Sequence, residues 1–180
     1  MKYPIIILEG PDGTGKTTLA KAIGGHYIHS TYNNLVTGNM VGYMVGTMYA
    51  ARQLAETDIV VLDRWRMSEI VYGNVFRDGP EQPDMDEELF KLAKESGAYH
   101  VLCQPFIHNK GKYLDSFGQL ANEREEMYAT MEGVYDEYWK QRDELDSELD
   151  FVMLYDRFQM TPEHGVELLL KAFDQRGLMP

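Results

Sequence analysis

Gly10-Pro11-Asp12-Gly13-Thr14-Gly15-Lys16-Thr17 fits the pattern G-x-x-x-x-G-K-[ST] in full. The apolar run Pro4 to Leu8 precedes it, and a helix-compatible stretch follows it and stops near Gly24 and Gly25. Strand, glycine-rich turn and helix in that order make a loop whose backbone N–H groups turn inward around an anion. The N-terminus of the following helix adds its partial positive charge. In such a loop Lys16 reaches the β- and γ-phosphates of a nucleotide and Thr17 holds Mg²⁺. Gly10, Asp12, Gly13, Thr14, Gly15 and Thr18 complete the candidate nucleotide-binding segment.

Outward from this loop, three more apolar runs have strand length: Ile59 to Leu62, His100 to Cys103 and Phe151 to Tyr155. A weaker fifth is His26 to His29. Continuous rather than alternating apolarity suits strands buried on both faces of a parallel sheet. Helices are expected between them: one ending near Glu56, one following Trp65, and one over Asp84 to Ser96 that Gly97 stops. Leu120 to Leu145 reads as one long helix or two in sequence, and Thr161-Pro162 as the cap and first turn of a helix running to about Gln175. Alternating strand and helix predict an α/β fold of the phosphate-loop class. Its core would be a doubly wound, five-stranded parallel sheet flanked by helices. No repeat or low-complexity linker divides the chain, so residues 1–180 read as a single domain. Arg77 to Pro83 reads as a loop, and Gln104 to Gly118 as a second, mobile one, within a lid expected at about 104–122.

Composition bounds the rest. The 180 residues suffice for one full hydrophobic core. An apolar fraction of 44% with twelve Tyr excludes a disordered tail. The single cysteine, Cys103, excludes an internal disulfide framework and points to a reducing compartment, so a cytoplasmic location is expected. No apolar run approaches the ~20 residues of a membrane span, and the start is too short and too acidic for a signal peptide. The net charge is −12, but Asp78 to Ser96 carries −5 of it and Glu123 to Asp150 carries −8, leaving +1 elsewhere. The acidic excess thus reads as two solvated helical faces, and a local cationic site remains open.

The run Ile59-Val-Val-Leu ends in Asp63-Arg64. A carboxylate at the end of an apolar strand suits a Mg²⁺ site. Hydrolytic ATPases usually follow that Asp with a Glu that activates water; here Arg64 follows, which suits a second phosphate, an acceptor rather than water. An Asn-Lys-x-Asp base-reading motif is missing, because Asn109-Lys110 continues as Gly111-Lys112.

These residues resemble a family. Ile7-Leu8-Glu9-Gly10 through Thr18 looks like the opening of thymidylate kinases and their deoxynucleoside-kinase relatives. Asp63-Arg64-Trp65 resembles their Asp-Arg-aromatic motif, and Ser68-Glu69, Val71-Tyr72-Gly73 and Arg77 are most like the compact, phage-encoded members. Glu123-Arg124-Glu125, Tyr128 and Tyr135 resemble the helix after the family's lid. The resemblance implies ATP and Mg²⁺ as donor and cofactor, Lys16, Asp63 and Arg64 as catalytic residues, and Thr17 with Asp63 at the metal. It implies that Asp12 contacts the acceptor's deoxyribose and Arg64 its phosphate, that Glu9 lies near the acceptor's hydroxyl, and that Tyr72 and Arg77 bind the acceptor. The phosphate loop has no Arg at its variable positions, so Lys110 and Lys112 in the lid or Arg124 must supply the extra cation. A homodimer is also implied.

Other residues carry blander readings. Tyr43, Met44, Met48 and Tyr49 fit a helix core before they fit a base pocket, and Gly38, Gly42 and Gly46 suit close helix packing. Tyr72 suits core and acceptor equally, and Arg124 suits a helix-surface ion pair as well as a catalytic role. The five His show no zinc spacing, and Cys103 reads as core. The function expected is phosphoryl transfer from ATP to a deoxynucleoside monophosphate, dTMP or a 5-modified dUMP. The alternatives are a kinase for a hydroxyl acceptor, either 5-hydroxymethyluracil in phage DNA or a free deoxynucleoside, and a nucleotide-binding switch. DNA is a partner only under the first of these.

Overall fold

Ile5, Ile6, Ile7 and Leu8 are fully buried, and successive residues serve opposite cores. This is the two-residue period of a strand covered on both faces. The computed structural model describes residues 2–30, 40–81, 83–118, 124–145, 151–175 and 177. In chain order the strands are β1 (Ile5–Glu9), β2 (His26–His29), β3 (Val60–Asp63), β4 (Ala98–Cys103) and β5 (Phe151–Tyr155). The helices are α1 (Lys16–Ile23), α2 (Met40–Leu54), α3 (Arg66–Phe76), α4 (Asp86–Glu95), α5 (Lys110–Gly118), α6 (Arg124–Leu145) and α7 (Pro162–Gln175). The five strands form one sheet in the order β2-β3-β1-β4-β5, with parallel pairing throughout. This is the expected doubly wound fold.

Ile5 and Ile7 pack with Val60 and Leu62 against Met44 and Met48 of α2 and Leu89 of α4. Ile6 and Leu8 pack with Val61, Val101 and Cys103 against Leu19 of α1 and Leu169 and Phe173 of α7. A third cluster joins Met67 and Val71 of α3, Tyr113 and Leu114 of α5, and Val134, Tyr135 and Tyr138 of α6. Thr161 caps α7, its Oγ1 accepting from the His164 N–H at 3.3 Å, a contact worth ~1 kcal/mol. Among the described residues, no helix is long and apolar enough to cross a membrane.

Three expectations are corrected. Gln104 to Gly118 is not a loop: a 3₁₀ turn at Ile107–Asn109 leads straight into α5. Pro105, Gly111 and the two lysines suggest a loop, but Tyr113 and Leu114 are buried, and that burial outweighs weak propensity. The helix expected from Asp84 begins as α at Asp86, after a 3₁₀ turn at Pro83–Met85. Close packing at the α2 glycines is also not seen. Gly42 and Gly46 are exposed, and a Cβ at Gly46 would meet nothing within 4 Å. Gly38, the lid residues 119–122 and Glu123 lie outside the described residues.

Candidate active site

β1 lies at the centre of the sheet, its C-terminal end between those of β3 and β4. The crevice above such carboxyl ends is where open α/β sheets place ligands. The loop Gly10 to Thr17 crosses it. Gly10 has φ 144°, and a Cβ there would collide with the Cys103 carbonyl, so only glycine lets the loop leave β1 this way. Thr14 Oγ1 donates to the Pro11 carbonyl at 2.8 Å. Lys16 Nζ donates to the Gly10 and Pro11 carbonyls at 2.8 and 2.7 Å. Burial, aided by the nearby Arg64 charge, lowers the Lys16 pKa to about 8.

Asp63 ends β3 and is fully buried. Its Oδ2 accepts from Tyr27 Oη at 2.6 Å and from Thr17 Oγ1 at 3.3 Å, with His29 Nδ1 3.2 Å away. Its Oδ1 is buried and has no hydrogen-bond partner in the described protein. A buried carboxylate with one unsatisfied oxygen, its other oxygen bonded by a threonine hydroxyl, fits a hard cation such as Mg²⁺. Among the described residues no cluster of three His, Cys, Asp or Glu offers a protein-only metal cage.

Arg64 follows with φ 82°. Its guanidinium pairs with Asp12 Oδ1, donates to Tyr72 Oη at 3.0 Å and lies 4.6 Å from the Tyr72 ring centre. Tyr72 Oη in turn donates to Asp12 Oδ2 at 3.0 Å. Burial tends to raise the Asp12 pKa, but the Arg64 and Lys16 charges outweigh it and hold the pKa low. Asp12, Arg64 and Tyr72 line a cavity of about 550 Å³ whose walls include Met40, Tyr43 and Met44 of α2 and Trp65 and Phe76. Tyr43 and Met44 therefore line a pocket, while Met48 is core and Tyr49 is exposed. Arg77 is on the same wall, paired with Glu69 at 2.6 Å and with Glu81 at 3.6 Å.

Glu9 is not on that wall. It is fully buried and faces the first turn of α3. There it accepts from the Trp65 N–H at 2.9 Å, from the Ser68 N–H at 3.1 Å and from the Ser68 hydroxyl. Burial pushes its pKa up to about 7, although Ser68 and Arg64 pull the other way. Glu9 thus lies behind Ser68, which lines the cavity, with its carboxylate held by the free N–H groups at the start of α3.

The expected lid cations are not gathered at the phosphate loop. Lys110 Nζ is held by Asp136 at 2.7 Å and by Glu132 at 2.9 Å, both on α6. Lys112 is exposed on α5. Arg124 opens α6, and its side chain lies outside the described residues. What does touch the loop is α5 itself. Tyr113 Oη donates to the Asp12 carbonyl at 3.0 Å, and a Cβ at Gly13 would come within 2.7 Å of the Phe117 ring.

Sequence reasoning missed Arg157. It follows β5, and its Cβ lies 3.4 Å from where a Cβ of Gly15 would sit. Its guanidinium donates to Ser116 Oγ of α5 at 2.9 Å. With Gly15, Thr18 and Phe158 it lines a second cavity, of about 530 Å³, on the other side of the loop. The signal was present: the dipeptide Asp63-Arg64 at the end of β3 recurs as Asp156-Arg157 directly after β5.

No protein-family model matches the chain, and no curated protein sequence matches it. Solved structures do. The YorR protein of Bacillus subtilis, solved in complex with phosphorylated GDP, is 20% identical, with 96% of this chain and 98% of that chain covered and a TM-score of 0.67. A deoxyadenosine kinase from M. mycoides, with the product dCMP bound, is 12% identical over 95% and 99% of the two chains, with a TM-score of 0.58. The thymidylate kinase of Candida albicans is 13% identical over 98% and 93%, with a TM-score of 0.51. At these identities the likeness is one of fold, and it spans essentially the whole chain.

Proposed function

We propose that this chain is a kinase that transfers a phosphoryl group from ATP to a deoxynucleoside monophosphate, dTMP or a 5-modified dUMP. The observation that carries the reading is the pair of cavities on opposite sides of one phosphate loop. Gly15, Thr18 and Arg157 border one of them, and Asp12, Arg64 and Tyr72 the other. A donor site and an acceptor site sharing a loop suit in-line transfer between two bound phosphates. The kinases among the structural neighbours add support at the level of fold.

Each residue has a part in this reading. The loop N–H groups and Lys16 hold the donor's phosphates. Thr17 and Asp63 would hold Mg²⁺, which when bound neutralises charge on the transferring group. Arg64, steadied by Asp12 and Tyr72, meets the acceptor's phosphate. A monophosphate is already a nucleophile and needs no strong base. With Glu9 buried against α3, the site has one carboxylate fewer for deprotonating a hydroxyl, which favours the monophosphate over the hydroxyl acceptors.

The test is ATP-to-ADP conversion with Mg²⁺ across dTMP, the other dNMPs, 5-hydroxymethyl-dUMP, free nucleosides, and DNA with and without 5-hydroxymethyluracil. Turnover with one monophosphate supports the reading; turnover only with nucleosides or modified DNA rejects it. Lys16→Ala should lower kcat by at least about a hundredfold, the scale of losing one transition-state donor. Its melting temperature should not fall, because Lys16 is a buried charge that folding must desolvate.

A further inference from the structure

β2 is an edge strand, and its alternate residues Tyr27 and His29 share one face, with His29 in register with Asp63. From two residues further back, Tyr27 reaches the carboxylate and donates to Oδ2 at 2.6 Å. Thr17 Oγ1 donates to the same oxygen at 3.3 Å, and His29 Nδ1 lies 3.2 Å from it. Three groups therefore meet on Oδ2, while buried Oδ1 has no hydrogen-bond partner in the described protein. A carboxylate on a short side chain can rotate and exchange its two oxygens. Bonding concentrated on one of them decides which is presented to a cation. Of the three contacts, the tyrosine hydroxyl's is the shortest.

We propose that Tyr27 is a positioning residue for the metal site. It pins Oδ2 so that Oδ1 faces Mg²⁺ or its water shell, and so that Thr17, whose proton points to Oδ2, keeps its lone pairs for the ion. The inference rests on the kinase reading above, because it concerns the same Thr17–Asp63 pair. Groups that orient a metal ligand from behind commonly change metal affinity by about 10- to 100-fold. Tyr27 is 43% exposed, so loss of its hydroxyl opens no hole in the core.

The experiment uses Mn²⁺ as a paramagnetic stand-in for Mg²⁺. Mn²⁺ binding to the protein–ADP complex is measured by electron paramagnetic resonance, and ADP binding in EDTA by calorimetry. Tyr27→Phe should weaken Mn²⁺ binding about tenfold and leave metal-free ADP affinity within about twofold of wild type. Tyr27→Leu, which also removes the ring, should behave the same way, since the hydroxyl carries the effect. Wild-type Mn²⁺ affinity in Tyr27→Phe overturns the proposal. So does a parallel loss of Mn²⁺ and metal-free ADP binding, the mark of a merely structural tyrosine. If Mn²⁺ fails to bind even the wild-type ADP complex, the metal site of the kinase reading falls, and Tyr27's role with it. A metal-responsive wild type with an indifferent Tyr27→Phe removes Tyr27 alone.

Discussion

Arg64 holds a left-handed backbone, φ 82°, and among the described residues no other non-glycine has a positive φ. That conformation costs an L side chain about 1–2 kcal/mol. It is held by the Arg64 N–H donating to the Leu8 carbonyl at 2.9 Å and by the guanidinium bracketed between Asp12 and Tyr72. Strain of this kind persists where the surroundings over-determine a residue, and such places cluster at functional sites. Arg64→Ala should raise the acceptor KM about 10- to 100-fold, the range of one lost charged hydrogen bond. The KM for ATP should stay within about twofold. Steady-state kinetics with each substrate varied in turn would decide, and an equal loss for both would make Arg64 structural. Glu9 predicts a pH effect with an unusual sign. Its folded pKa is raised, to about 7 from 4.5, so its contribution to stability is complete below pH 4.5 and is lost as pH rises through 7. Glu9→Gln cannot titrate. Relative to it, the wild type should lose about 3 kcal/mol between pH 4.5 and pH 8 in urea melts. A stability difference that stays flat with pH would show that the three donors keep Glu9 ionised throughout.

At the scale of elements, legibility tracked burial. β1, β3 and β4, the inner strands, stood out because strands covered on both faces read as unbroken apolar runs, and β5, at one edge, is an unbroken apolar run as well. β2 was faint because its sequence alternates, with the His26, Ile28 pair less exposed than Tyr27 and His29. That same faintness hid Tyr27 and His29, since the histidines were weighed only for zinc spacing. The loop motif and Asp63-Arg64 were legible because their chemistry is local in sequence. Arg157 and Ser116 were not, because their contact spans 41 residues. α5 was misread for a related reason. Its glycines are visible locally, but the partners of Tyr113 and Leu114 come from α3 and α6. Leu114→Ala should therefore cost about 2–5 kcal/mol, as a fully packed core leucine does. A loss below about 1 kcal/mol in a denaturant titration would mean that α5 is held loosely after all. Tyr113→Phe removes only the hydroxyl that reaches the Asp12 carbonyl and should cost ~1 kcal/mol.

Over the whole molecule, the charge is divided as the two site readings require. The acidic excess behind the net −12 lies in residues 78–96, which contain α4, and in residues 123–150, whose described part is α6. Lys16 instead sits in the loop at the crevice, Arg64 and Arg77 line one cavity and Arg157 lines the other. Under the proposed reading a mononucleotide would come within a few ångströms of those cations, well inside the ~8 Å over which salt screens charge. A DNA duplex would also lay its phosphates along the acidic faces and be repelled. Nonspecific DNA binders reach dissociation constants of about 10⁻⁴ to 10⁻⁶ M at physiological salt. This chain should fall short of that range. A fluorescent duplex, with or without 5-hydroxymethyluracil, should show no anisotropy change at about 100 μM protein and 0.15 M salt. dTMP should still be turned over under the same conditions. Duplex binding tighter than that, weakening steeply with added salt, would mean that the basic residues form a continuous groove rather than two pockets. The hydroxyl acceptor in DNA would then displace the monophosphate as the reading of this site.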